Sequence, residues 1–216
     1  MSINDTIRRR LVLQLLGRRN SERPRIFGIG LSKTATTTLC DALSILGYKT
    51  IHYAPIVQIE KNEADFIWPW WIEEYDAMAD LPVAAVYPEL SRRFPNSTFI
   101  LTTRNEDAWL VSARKHFNQA AFDSARDVEK FRQGVLLNKH MYGANVFDEA
   151  RFRQAFRNHT AEVRQHFDGD PRYHELDICG GDRWERLCQI VGRPVPDVPF
   201  PKSNVRAEID KAKRAD

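Results

Sequence analysis

Arg25-Ile-Phe-Gly-Ile-Gly-Leu-Ser-Lys-Thr-Ala-Thr-Thr-Thr-Leu-Cys-Asp-Ala-Leu-Ser-Ile-Leu46 is the stretch on which the fold turns. Its first seven residues are a short apolar run ending in turn residues, which predicts a buried strand. From Thr36 onward the apolar positions Leu39, Ala42, Leu43 and Leu46 follow helical spacing, and Gly47 stands where a helix stop belongs. A strand that turns through small residues into a helix leaves backbone N–H groups unpaired at the helix start, and the helix dipole adds positive potential there. Lys33 contributes a mobile full charge, and the hydroxyls of Thr34, Thr36, Thr37 and Thr38 are further donors. One capping threonine would satisfy an ordinary turn. A lysine inside the turn followed by three successive threonines exceeds what capping needs, and predicts an anion site over Ser32, Lys33, Thr34, Ala35, Thr36, Thr37 and Thr38.

Outward from this loop the chain alternates between two periods. Residues 48–52, 97–103 and 173–178 read as further strands, and residues 82–94 and 182–191 as helices. Asn105 is placed to cap a helix that runs through Trp109, Ser112 and His116. Residues 59–80 read as partly helical around Trp68-Pro-Trp-Trp71, and residues 124–168 as almost wholly helical and highly charged. Strands alternating with helices predict an α/β fold whose parallel sheet is covered on both faces. The expectation is a three-layer, P-loop-like parallel sheet flanked by helices. A helical insertion over about 118–168 would form a hairpin or lid, and the proline-rich 193–216 an extended tail. A length of 216 residues suits one such domain over 1–216.

Charge narrows the partners. The chain has 32 Lys and Arg against 29 Asp and Glu, a net charge of +3, and it is 43% hydrophobic and 11% aromatic. That composition excludes disordered and low-complexity classes. It also argues against nucleic-acid binding by bulk charge, which calls for a larger basic surplus, while leaving room for a few cations aimed at one small anion. Three cysteines, Cys40, Cys179 and Cys188, with no CxxC, predict neither a disulfide framework nor a zinc site, and hence a cytoplasmic protein. No apolar run approaches the ~20 residues of a membrane span, so no transmembrane segment is expected. The basic amphipathic Ile7-Arg-Arg-Arg-Leu-Val-Leu-Gln-Leu-Leu16 is expected to dock on its own domain; the alternative is contact with a membrane surface through residues 5–18. Oligomeric state is not legible.

The identity of the anion depends on details of the loop. A Walker A loop has glycine directly before its lysine, but Ser32 precedes Lys33, and Phe27 stands where the first glycine of that motif belongs. Asp177 is a weak candidate for holding magnesium, and no metal site is expected. Lys33-Thr-Ala-Thr-Thr-Thr38 instead resembles the 5′-phosphosulfate loop of the PAPS-dependent sulfotransferases, usually written PKSGTTW. Lys33, Thr36 and Thr37 fall in register; Thr34 replaces the serine, Ala35 the glycine and Thr38 the tryptophan. The family's second signature is a strand-end arginine followed eight residues later by a helical serine, both on the 3′-phosphate. Here it is met by Phe99-Ile-Leu-Thr-Thr-Arg104 and Ser112. An arginine at a strand's carboxyl edge can fork onto a phosphate; the plainer possibility is that Arg104 pairs with Glu106 or Asp107 while Ser112 only packs.

The resemblance covers 26 to about 204 and implies sulfuryl transfer from PAPS, leaving adenosine 3′,5′-bisphosphate, to a small-molecule acceptor. Lys33 and Asp80 are its implied catalytic residues. In cytosolic members a histidine base lies in a Lys-Thr-His-Leu-Pro segment; here Asp80-Leu-Pro82 puts aspartate in its place. Asp80 is either that base or an N-cap for the helix at Pro82, with His52 in reserve and His116 behind it. His52, Tyr53, Trp68, Trp71 and Tyr75 are expected to wall an acceptor pocket, or else the aromatics are the seam of a lid. The family's GxxGxxK clamp is missing, and Lys202, Ser203 or Arg206 are the residues that could replace it. Rival readings are an ATP- and magnesium-dependent P-loop kinase and a non-catalytic nucleotide-binding module.

Overall fold

A computed structural model describes residues 23–118 and 128–203, with the backbone alone for 128–131. The N-terminal basic segment, Arg206, the first part of the expected lid and the end of the tail lie outside the described residues. Seven strands and seven α-helices are described: β1 (Ile26–Gly28), α1 (Thr36–Ile45), β2 (Thr50–His52), β3 (Val57–Glu60), β4 (Glu63–Phe66), β5 (Ala77–Ala79), α2 (Leu81–Ala85), α3 (Tyr87–Arg93), β6 (Thr98–Thr102), α4 (Glu106–His116), α5 (Val128–Tyr142), α6 (Glu149–His166), β7 (Tyr173–Leu176) and α7 (Trp184–Val191). A 3₁₀ turn at Trp70–Glu74 precedes β5.

Five strands form one parallel sheet in the order β2-β5-β1-β6-β7. β1 is central, and the chain visits β2 and β5 on one side of it before crossing to β6 and β7 on the other. The carboxyl end of β1 is therefore a topological switch point, where open α/β sheets form a ligand crevice. The loop quoted above begins there.

Alternation along the strands builds the two faces. Phe27, Ile29, Met78, Phe99 and Leu101 face one way, under Tyr87 and Leu90 of α3 and Val163 of α6. Ile26, Ala77, Ala79 and Ile100 face the other, under Leu39 and Leu43 of α1 and Leu187 of α7. Gly28 makes the second packing possible: a Cβ there would lie 2.6 Å from that of Ala79 and 2.9 Å from Leu39. A third apolar cluster, with Leu31, Leu81, Trp109, Tyr142 and Phe152, packs α4, α5 and α6 around the loop. His159 of α6 donates from Nε2 to the Ile29 carbonyl at 2.8 Å, and burial holds its imidazole below the ordinary range.

Several expectations are corrected. β5 falls inside 59–80, read as partly helical. That segment is a hairpin, a 3₁₀ turn and the three-residue strand Ala77-Met78-Ala79, buried between β1 and β2. The hairpin turns at Lys61 and Asn62, both at positive φ, as a type I′ turn requires. The helix expected over 82–94 is broken at Val86, because Pro88 cannot donate the backbone bond that would continue α2.

Candidate active site

The loop after β1 is held by close approaches. Gly30 has no room for a side chain: a Cβ would sit 2.0 Å from Thr102 Oγ1 and 2.7 Å from the Thr102 carbonyl oxygen. Thr34 is turned into this contact. Its amide and hydroxyl both donate to the Leu31 carbonyl, at 3.2 and 2.7 Å, and its Oγ1 meets Thr102 Oγ1 at 2.6 Å. The expected role of Thr34 as an anion donor is corrected, since its polar groups close the loop onto β6. Ser32 is likewise turned inward. Its Oγ donates to Asp80 Oδ1 at 2.7 Å and its carbonyl accepts from the Trp109 indole at 2.9 Å. Lys33 and Ala35 stand at φ 75° and 72°, the left-handed region that costs an L-residue roughly 1–2 kcal/mol.

Beside the loop lies a cavity of about 330 Å³. Lys33 and Thr36–Thr38 line one wall, Arg104 and Ser112 another. Burial is the main cause that lowers the Lys33 ammonium below the usual lysine range; Arg104 adds to it and Asp80 opposes it. Arg104 donates from Nη1 to the Lys33 carbonyl at 3.0 Å, while its Nε is buried without a partner. The competing partner expected for it is taken: Glu106 pairs with Arg153 and Arg157 of α6.

The sequence did not single out Arg183, which completes the cavity together with Cys179, Lys202 and Ser203. Arg183 is oriented by the carbonyls of Ile178 and Asp182 and stacks 5.7 Å over Phe200. The proline-rich segment returns across α7, where the Trp184 indole donates to the Val198 carbonyl at 2.7 Å and meets Phe200 edge-on at 4.8 Å. Ser203 Oγ donates to Asp41. Arg183 could have been suspected only by knowing that this segment folds back. Among the described residues, four cations line the cavity and no carboxylate does. The arrangement suits a ligand with more than one anionic group. Asp177 Oδ1 accepts from the Gly180 amide at 2.7 Å.

On the other side of the loop a second cluster gathers at the ends of β2 and β5. Asp80 is 5% exposed and adopts φ 89°. It occupies the backbone N-cap position of α2, yet its side chain caps nothing. Oδ1 accepts from Ser32, and Oδ2 lies 3.2 Å from His52 Nε2. Tyr53 follows at φ 58°, its phenol pushed up to about 12 by burial and by Asp80, so it remains a donor. The His116 imidazole is lowered by burial first and by Lys33 second, with Asp80 opposing.

Trp68, Trp71 and Tyr75 are corrected. Trp68 packs against Phe94 and under Arg25, with its indole donating to Glu73 at 2.6 Å. Trp71 meets Tyr75 edge-on, and Tyr75 sits under Lys49. Arg25 and Lys49 precede β1 and β2, so these aromatics lie at the amino edge of the sheet, whereas Asp80 lies at the carboxyl edge. They precede Asp80 closely in sequence, but three strand residues at about 3.3 Å each intervene.

A family model described as a sulfotransferase domain matches residues 25–209. The chain is 24% identical over 209 residues to Ava biosynthesis cluster protein M of Aspergillus versicolor, covering 82% of this chain and 79% of that protein. Its fold is similar to the crystal structure of a sulfotransferase from Alicyclobacillus acidocaldarius. The TM-score is 0.52 at 14% identity, covering 89% of this chain and 92% of the other.

Proposed function

Because this chain belongs to the sulfotransferase family, we propose that it uses PAPS as donor and a hydroxyl or amine of a small molecule as acceptor. The observation that carries this reading is the meeting of Lys33, Arg104 and Ser112, from a loop, a strand end and a helix, in one cavity with Arg183 and Lys202. When bound, PAPS supplies an activated sulfuryl group, whose S–O bond to phosphate breaks as a bond to the acceptor oxygen or nitrogen forms.

The residues act in distinct ways. The amides at the start of α1 with Thr36, Thr37 and Thr38 hold the 5′-phosphate end. Lys33 neutralises charge that develops on the bridging oxygen, the kind of preorganised electrostatic help that is usually the largest catalytic contribution. Arg104 and Ser112, joined by Arg183 and Lys202, hold the 3′-phosphate and set PAPS apart from ATP. Asp80 takes the acceptor's proton, in a buried position between Ser32 and His52 suited to general-base work. His52 and Tyr53 face the acceptor side. Charge balance at the cavity comes from these cations. The whole chain acts as one domain. Among the described residues no helix is long and apolar enough to cross a membrane, and three free cysteines suit a cytoplasmic setting.

A thermal-shift panel tests the donor. Adenosine 3′,5′-bisphosphate and PAPS raise the melting temperature without metal, and ATP with magnesium does not. Transfer of label from PAPS in an acceptor screen tests the chemistry, and Lys33→Ala then lowers kcat by about 10²–10³-fold. Near-normal turnover in that variant would overturn the assignment.

A further inference from the structure

His52 ends β2 at the carboxyl edge of the sheet, and its Nε2 lies near three oxygens at once. Thr36 Oγ1 is at 3.1 Å, Thr37 Oγ1 at 3.2 Å and Asp80 Oδ2 at 3.2 Å. An imidazole nitrogen has one in-plane site, filled either by a proton or by a lone pair. With a lone pair on Nε2, a threonine hydroxyl donates to it, and Asp80 Oδ2 faces a second lone pair. With a proton on Nε2, the ring donates to the carboxylate and the threonine oxygens face it as acceptors. The two arrangements exclude each other.

Thr36 and Thr37 also line the anion cavity. A phosphate held there draws their hydroxyl protons towards itself, so their oxygens present only lone pairs to His52. Occupancy of the loop therefore favours the proton on Nε2. Ser32 already fixes Oδ1 of Asp80 at 2.7 Å, which leaves Oδ2 as the oxygen that responds. The His52 side chain is 34% exposed, so water can exchange its proton between ring nitrogens with no net uptake. Lys33, Cys40, Tyr53, His116 and Tyr142 are other ionisable groups in electrostatic reach of Asp80.

We infer that His52 is a positioning residue that transmits occupancy of the phosphate loop to the Asp80 carboxylate, orienting it to accept a proton only when an anion fills the loop. This rests on the reading of Asp80 as the base. It ties deprotonation of the acceptor to the presence of the donor, through hydrogen bonds alone.

Nuclear magnetic resonance of the full chain tests it at a fixed, mildly alkaline pH. Loop occupancy is read independently from the amide resonances of residues 33–38. Saturation with adenosine 3′,5′-bisphosphate moves His52 Nε2 towards the protonated 15N range and Nδ1 away from it, and shifts the Asp80 carboxyl 13C resonance. In His52→Gln, whose amide donates to Asp80 permanently, that carboxyl resonance stays at the occupied position with and without ligand. An unmoved His52 in an occupied loop overturns the inference, as does an Asp80 resonance that responds equally in His52→Ala. If the bisphosphate leaves the loop amides unmoved, the donor reading fails. Inorganic pyrophosphate, which needs only the loop, then decides the His52 inference alone: loop amides that move with His52 support it, and loop amides unmoved by either anion sink both.

Discussion

Four of the six described non-glycine residues at positive φ, Lys33, Ala35, Tyr53 and Asp80, surround the anion cavity and the proposed base. Backbone strain of this kind costs about 1–3 kcal/mol per residue and persists where surrounding contacts over-determine the chain. Ala35 is the plainest instance, because glycine is free of the Cβ penalty at its φ of 72°. Ala35→Gly raises stability by about 0.5–1 kcal/mol, the left-handed penalty less glycine's unfolded-state entropy, and urea melts measure it. Gly30→Ala has the opposite sign. The new Cβ meets Thr102 at 2.0 Å, so both the melting temperature and the bisphosphate-induced shift fall. Arg183→Ala weakens bisphosphate binding by about 10–100-fold, the worth of a charge-assisted hydrogen bond, as calorimetry reads it.

At the scale of elements, legibility followed the strength of local signals. β1, its loop and α1 were readable because an apolar run, a charged turn and a helical stripe follow one another without a break. Asn105 was readable as a cap, and its Oδ1 accepts from the Ala108 amide at 3.1 Å. β5 was not, because Ala77-Met-Ala79 has neither length nor β-branched residues. Its alaninyl side chains answer to Gly28 and α1 across the sheet, which local pattern does not carry. The aromatic cluster was misplaced for the same reason, since an unseen strand hid the sheet's width.

The ionic part of the join between α4 and α6 includes Glu106, held down to about 2 chiefly by the Arg157 hydrogen bond, with burial opposing and Arg153 helping. A carboxylate lowered on folding stabilises the folded state above its unfolded value near 4.5 and ceases to do so as pH falls through about 2. Wild type therefore exceeds Glu106→Gln in stability at neutral pH. The difference, followed by urea melts, shrinks as the pH is lowered from 5 towards 2.

Across the whole molecule, the near balance of charge conceals a local excess. The net charge is +3, yet Lys33, Arg104, Arg183 and Lys202 converge on one cavity. Elsewhere cations such as Arg153, Arg164 and Arg172 are paired with acids. Ligand at 100 times its Kd contributes about 2.7 kcal/mol of stability. For a chain of this size that moves the melting temperature by roughly 5–10 °C, which scanning calorimetry resolves.

The five strands of the central sheet all point one way, and the two ends of that sheet therefore have separate duties. At the amino edge Arg25, 1% exposed, pairs with Glu73 and lies 5.2 Å from the Trp68 ring. At the carboxyl edge sit the loop, Asp80 and His52. An experimenter who wishes to harden the enzyme can work at the first edge, and one who wishes to retarget it can work at the second. The two sets of changes combine with little interference, because sites more than about 7–10 Å apart with no shared partners add nearly independently. The same separation gives natural variation a stable base from which new acceptors can be tried.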